Sequence, residues 1–394
     1  MGTPKWVQNR EKYKNGLFAP LEGIPFGLQE AIDLSLESLK VYGKQYPHWA
    51  ITYSGGKDSS ALVSFIIWAI ESRAVSAPQS LTVIYADTLM ELPPLATTAE
   101  TVLADIEQMG YSAIRVIPAL EKRFWANILG RGVIPPKRNV RWCTRQLKKD
   151  PMDLGLLQVW EKHGQDNVLI LTGVRMGESA VRDQLITTSC STSDGECGQG
   201  WFQQNRHALA PLLHWRVCWI WKWLYGNNNP LPSTLGIEPV YKVDDVFDIR
   251  TGCISCNLIN TDWALKTLIK VPEWSHLAPL LRLKDMYQRM YQAKHRVRYK
   301  PQKRKDGTYS AKRVNNLGAL TIKARKYFYG EVQNIAAEAR YPLISDKEDQ
   351  FIHWCWINNV WPKSAERRYK PSDPPPKALI IQDGLIVGEQ LPLF

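Results

Sequence analysis

Four short apolar runs set the fold: HWAITYS from residue 48, SLTVIYADT from 80, SAIRVIPAL from 112 and NVLILTGVR from 167. Each is rich in β-branched and aromatic residues and is bounded by polar or turn-forming residues, as strands are. Several have amphipathic stretches with helical spacing between them, as in SSALVSFIIWAIES and TAETVLADIEQMG. Nearly continuous apolar runs, rather than strict alternation, belong to strands covered on both faces. The pattern therefore predicts an α/β fold, a parallel twisted sheet with helices on both sides.

The 394 residues allow one full-sized domain plus smaller units. The expected organisation is an N-terminal helical segment (1–46) containing LQEAIDLSLESLKVYGKQY, the sheet domain (47–280), a basic helical region (281–370), and a Pro-rich linker with a small hairpin (371–394). In the basic region two helices, APLLRLKDMYQRMYQAKHRVRY and LTIKARKYFYGEVQNIAAEAR, are expected around a hydrophilic, mobile joint, KPQKRKDGTYSAKRVNN. The hairpin follows from Asp383–Gly384 between two apolar runs. The run ALVSFIIWAI is too short to cross a bilayer, and the charged N-terminus has no secretory apolar core. Trp6 stands where a myristoylation signal needs Ser or Thr. The expectation is a soluble cytoplasmic protein without a membrane partner. Seven scattered cysteines favour thiol, metal or redox chemistry over a disulfide framework.

Between the first strand and the first long helical pattern stands SGGKDS. Gly55 and Gly56 allow backbone N–H groups to surround an anion with no Cβ in the way, and the helix start adds its positive dipole end. Lys57 can approach a phosphate oxygen, Ser54 and Ser59 supply hydroxyls, and Asp58 can cap the helix or help to hold Mg²⁺. The implied ligand is a polyphosphate. The spacing is not that of the Walker loop, which needs four residues before Gly-Lys.

The turn closely resembles the PP-loop of ATP pyrophosphatases, which split ATP into AMP and pyrophosphate. Four further stretches occur in a telling order: ADTLMELPPL, NVRWCTRQLKKDP, LTGVRMGESAVR and TGCISCNL. Over residues 47–275 they resemble the ATP pyrophosphatase component of bacterial DNA phosphorothioation, the DndC and SspD type. The resemblance implies ATP and Mg²⁺ as cofactors and the DNA backbone phosphate as substrate. It implies a cysteine desulfurase as sulfur donor, with further phosphorothioation subunits as partners. Adenylylation would turn a poor leaving oxygen into a good one, which sulfur then replaces.

At the end of the second strand, Asp87 and Glu91 can hold ribose hydroxyls or magnesium; the simpler reading has Asp87 capping the next helix. Gly173 and Arg175 follow another strand, and Arg175 and Arg182 can clamp phosphate as pyrophosphate leaves; a Glu178–Arg182 surface pair is the plainer alternative. Cys143, Cys253 and Cys256 resemble the positions that hold a four-iron four-sulfur cluster in such proteins, and CxxC spacing suits two thiolates on one centre. A fourth thiolate would come from elsewhere, with Cys190 and Cys197 on offer, and the same thiols can instead form a disulfide or carry a persulfide. In HWRVCWIWKWL, Trp215, Trp219 and Trp223 read as the core face of a helix, with Cys218 buried beside them.

Residues 282–331 carry 15 Lys or Arg against Asp285, Asp306 and Glu331, which equals the whole formal net charge of +12. They read either as a track for DNA or as a solvated pair of charged helices. Two other activities use the same loop. A sulfonucleotide reductase needs a catalytic cysteine on a C-terminal tail, whereas the last cysteine here is Cys355, and a tRNA-thiolating enzyme would share the basic surface. A nucleotide-sensing scaffold without catalysis is the non-enzymatic alternative.

Overall fold

The computed structural model describes residues 27–176, 201–203, 207–241, 252–298, 302–310, 316–362, 378–383 and 385–390. Helix α1 (Leu28–Tyr42) leads into strand β1 (His48–Tyr53), followed by α2 (Lys57–Glu71), β2 (Ser80–Ala86), α3 (Pro93–Gln108), β3 (Ser112–Val116), α4 (Asp150–His163) and β4 (Val168–Thr172). Two short strands come next, β5 (Trp201–Gln203) and β6 (Ala208–Ala210), and then helices α5 (Val217–Leu224), α6 (Glu238–Tyr241), α7 (Trp263–Leu268) and α8 (Arg282–Met290). The chain continues through β7 (Arg296–Arg298), β8 (Gln302–Lys303), β9 (Tyr309–Ser310), β10 (Leu317–Leu320), α9 (Ile322–Glu338), α10 (Asp346–Ile357) and the hairpin of β11 (Ala378–Gln382) and β12 (Leu385–Gln390).

All four expected strands form, and they join one sheet of order β3-β2-β1-β4-β6-β5. Every pairing in it is parallel except the antiparallel edge of β5 on β6. Pleating divides the strand residues between two cores. Ile51, Val83 and Leu171 enter one cluster with Leu62, Phe65 and Ile66 of α2. Ala50, Ile84 and Ile170 enter the other, with Leu156 and Val159 of α4. Fully burying a side chain such as Leu62 or Phe65 contributes about 1.5–3 kcal/mol relative to exposure, so α2, apolar on almost every face, is held by both its length and its burial. No described helix is long and apolar enough to cross a membrane.

Three expectations need correction. The first basic helix stops at Met290, because Arg296 is drawn into an extended pairing of β7 with β10, where its guanidinium donates to the carbonyls of Gly318 (2.9 Å) and Leu317 (2.8 Å). Part of the supposed joint is a small hairpin, β8 on β9, turning at Asp306–Gly307 with Gly307 at φ 87°. Cys218 is exposed rather than buried. It lies two residues, about 200° of helical turn, from the buried Ile220. Trp215 and Trp223 are core residues as expected, while Trp219 is only partly covered and lies 5.0 Å from the Arg216 guanidinium.

Candidate active site at the switch point of the sheet

Strand β1 lies between β2 and β4, so the connections leave it on one side and the chain later returns on the other. Ligands of open parallel sheets bind where the strand order reverses, at the carboxyl ends of the strands. Two loops meet at that point, Ser54–Gly56 after β1 and Gly173–Arg175 after β4. Gly55 adopts φ 71°, a region that L side chains enter at a cost. Gly173 is there for space: a Cβ on it would stand 3.2 Å from Asp58 O, Ser59 Cα and Ser59 N. The turn is pinned by Ser59, whose hydroxyl accepts from the Ser54 amide (3.2 Å) and donates to the Gly56 carbonyl (3.0 Å).

A short chain of charges crosses the two loops. Lys57 Nζ lies 2.9 Å from Asp58 Oδ2, and Arg175 Nε lies 2.5 Å from Asp58 Oδ1. Arg175 is buried and its Nη1 donates to the Trp215 carbonyl at 3.0 Å. Burial works to raise the Asp58 carboxyl, but the Arg175 and Lys57 charges outweigh it and hold the group below the ordinary carboxylate range. Two cations against one carboxylate leave net positive charge where a polyphosphate would sit.

Tyr241, at the end of α6, was not singled out by sequence reasoning. Its hydroxyl accepts from the Lys57 amide at 3.2 Å and would lie 3.1 Å from a Cβ placed on Gly56. The ring packs edge-on against Trp221 and lies 5.4 Å from the Lys57 ammonium. Helix α2 has no side-chain cap, so this hydroxyl serves its first free N–H.

The next loop holds the acidic pair. Asp87 accepts from the Leu89 amide (2.7 Å) and from Arg115 Nε (3.0 Å), so its carboxylate is committed to a turn and an ion pair. Glu91 accepts from the Thr88 hydroxyl at 2.6 Å, and burial pushes its carboxyl up to about 7. This loop also receives the CxxC segment: Glu91 and Cys253 form an antiparallel bridge, and the Ile254 amide donates to the Met90 carbonyl at 2.6 Å.

Cys143, Cys253 and Cys256 all act electrostatically on Lys148, Cys253 most strongly, and together with Glu91 they outweigh desolvation and raise its ammonium. Burial pushes the Cys253 thiol up to about 12 and also raises Cys143, whose next influence is Cys256. Among the described residues no group of three or more His, Cys, Asp or Glu side chains is spaced to hold a single metal ion. The described chain offers these three thiols there, while Cys190 and Cys197 lie outside the described residues, as does Arg182. Asp58, the carboxylate of the turn, has both oxygens paired, Oδ2 with Lys57 and Oδ1 with Arg175. Lys148, Thr88 and Arg115 were missed by sequence reasoning because only the packing of separate loops brings them to the site.

Residues 48–238 match the phosphoadenosine phosphosulfate reductase domain family. An uncharacterized protein of Methanocaldococcus jannaschii is 27% identical over 202 residues, a stretch that takes in 50% of this chain and 42% of that protein. The phosphoadenylyl-sulfate reductase of Candida auris, solved as a phosphate complex, is similar at 14% identity and a TM-score of 0.34, over 58% of this chain and 97% of the reductase. The U34-tRNA thiolase NcsA of Methanococcus maripaludis, solved with its [4Fe-4S] cluster, is similar at 12% identity and a TM-score of 0.33, over 67% of this chain and 80% of the thiolase. The glycine turn on β1 and Arg175 beyond β4 both lie inside the residues that are similar to this domain family.

Proposed function

We propose that the protein is an ATP pyrophosphatase that activates the DNA backbone phosphate for sulfur incorporation. The observation that supports this most is the Lys57–Asp58–Arg175 charge chain across the glycine turn, with a thiol-bearing loop docked on the neighbouring strand end. In the reaction a non-bridging oxygen of the DNA phosphate attacks the α-phosphorus of ATP and pyrophosphate leaves. The turn and Arg175 hold the departing pyrophosphate and take up its growing charge. A persulfide sulfur, supplied by a cysteine desulfurase, then attacks the DNA phosphorus, and AMP leaves with the oxygen. A second thiol resolves the remaining S–S bond as a disulfide, which an external reductant reopens.

Cys143, Cys253 and Cys256 are the groups that would hold a four-iron four-sulfur cluster, whose contribution when bound is electron transfer or sulfur binding. A reductase reading that uses Cys355 as the catalytic thiol is poorer, because that side chain is wholly buried in α10. The test is product analysis with the full chain, purified anaerobically. AMP and pyrophosphate are expected, and Lys57→Ala and Asp58→Ala are each expected to reduce their release by at least about 100-fold, the scale on which a preorganised charge contact acts. ADP and phosphate as products, or wild-type turnover in both variants, would refute the assignment.

A further inference from the structure

Cys143 stands inside a stretch, residues 137–149, that carries six cations and no acidic residue: Lys137, Arg138, Arg141, Arg145, Lys148 and Lys149. The stretch is firmly built. Lys137 and Val140 close a two-way backbone bridge at 3.2 and 2.9 Å, and Trp142 donates to the Ile134 carbonyl while stacking on Phe124. Arg138 Nη2 donates to Asn260 Oδ1 at 2.8 Å, tying the bridge to the segment that follows Cys256, and Arg141 Nε donates to the Arg138 carbonyl at 3.1 Å. Lys137, Arg138 and Arg141 have no carboxylate partner among the described residues, and Val140 between them is 55% exposed. Unneutralised cations at fixed spacing beside a reaction centre form a backbone-binding surface for a polyanion.

We propose that this stretch is where duplex DNA lies, with its sugar–phosphate backbone held by Lys137, Arg138 and Arg141 so that one phosphate reaches the thiols beside Cys143. The inference rests on the proposed DNA substrate and deepens it by naming the contact surface. It places the grip next to the chemistry, whereas several of the ordered cations from residue 282 on are paired with carboxylates or spent on backbone carbonyls. Arg282 pairs with Glu338, Arg289 pairs with Glu331, Lys284 donates to the Ile259 carbonyl, and Arg296 serves β10.

The test uses the full chain and a duplex of about two helical turns, ~21 base pairs, with binding followed by fluorescence anisotropy across a salt series. Converting Lys137, Arg138 and Arg141 together to Gln is expected to weaken binding on the order of 10- to 100-fold near 0.1 M salt and to flatten the log–log salt slope by about 2 to 3. ATP cleavage without DNA should stay unchanged. Arg138→Lys with Arg141→Lys should restore most of the binding, which a merely structural role for the Arg138–Asn260 contact would not allow. Unchanged affinity and slope in the Gln variant would overturn the proposal, as would failure of the wild-type protein to bind the duplex. A preference for tRNA over the duplex, lost in the same variant, would overturn the DNA assignment of this surface. The binding outcomes do not depend on pyrophosphate release, so failure of the activity and failure of the surface can be told apart.

Discussion

Replacing Arg175 by Met tests whether the charge chain is the keystone of the site. Arg175 is buried and its pair with Asp58 is mostly covered, with side-chain exposures of 5% and 14%. Removing one partner of a buried pair costs about 3–5 kcal/mol because the other charge is left behind. Lys57 remains 2.9 Å from Asp58, which favours the lower end. The Trp215 carbonyl also loses its donor, a further penalty on the order of 1–3 kcal/mol if no water replaces it. We expect a loss of at least about 3 kcal/mol at pH 7, read by urea denaturation.

The pH dependence separates these causes. In the wild type the Asp58 carboxyl is held below its ordinary value of 3.8. Its stabilising contribution is therefore present above that value and lost as pH falls through the lower folded value. In Arg175→Met burial is opposed by Lys57 alone, so the carboxyl moves up and protonation relieves the variant first. The stability gap should narrow between pH 7 and pH 4. Asp58→Asn in the Arg175→Met background should recover part of the loss, with a coupling of about 0.5–3 kcal/mol. A gap that is independent of pH, with simple additivity in the double variant, would refute the reasoning and leave the Trp215 carbonyl as the sole reason for Arg175.

Gly173→Ala pushes a Cβ to 3.2 Å from the Asp58 and Ser59 backbone; we expect a stability loss of about 1–3 kcal/mol and a larger proportional loss of pyrophosphate release, measured by melts and turnover, and wild-type values in both would show that the two loops are not packed as described. Tyr241→Phe keeps the packing on Trp221 but removes the hydroxyl that occupies the Lys57 amide. A charged phosphate oxygen is the stronger acceptor, so pyrophosphate should bind about 2- to 10-fold tighter by calorimetry; weaker binding would make the hydroxyl a ligand contact instead.

The sheet was legible because β1, β2 and β4 are covered on both faces, which writes near-continuous apolar runs into the sequence. The glycine turn was legible for a local reason too: Gly55, Lys57, Asp58 and Ser59 act within six residues of one another. Tyr241 was not, since it lies 184 residues from Lys57 in a four-residue helix with no pattern of its own. Arg115 likewise reaches Asp87 across the β2–β3 pairing, 28 residues away. Spacing could name Asp87 as an acid at a strand end. Only the fold shows its carboxylate already engaged.

Charge was the least legible property, because a count of Lys and Arg does not say which of them face a carboxylate. Residues 282–331 hold the chain's whole net charge, yet Arg289 is spent on Glu331, 42 residues on, and Arg325 is fully buried, with Nη1 donating to the carbonyls of Gly130 and Val360 at 2.8 Å each. These guanidiniums fasten α8, α9 and the helical turn Ala126–Gly130 to one another; they are tied internally instead of standing free for an external polyanion. The exposed cations of the ordered segment include Lys294, Lys323 and Lys326, and three more, Lys303, Arg304 and Lys305, cluster around the β8–β9 turn. Neutralising those three should therefore flatten the salt slope for DNA less than neutralising Lys137, Arg138 and Arg141, even though they belong to the more basic segment. An equal or larger effect from the turn would mean that net charge along the sequence, rather than placement beside the thiols, decides where the DNA is held.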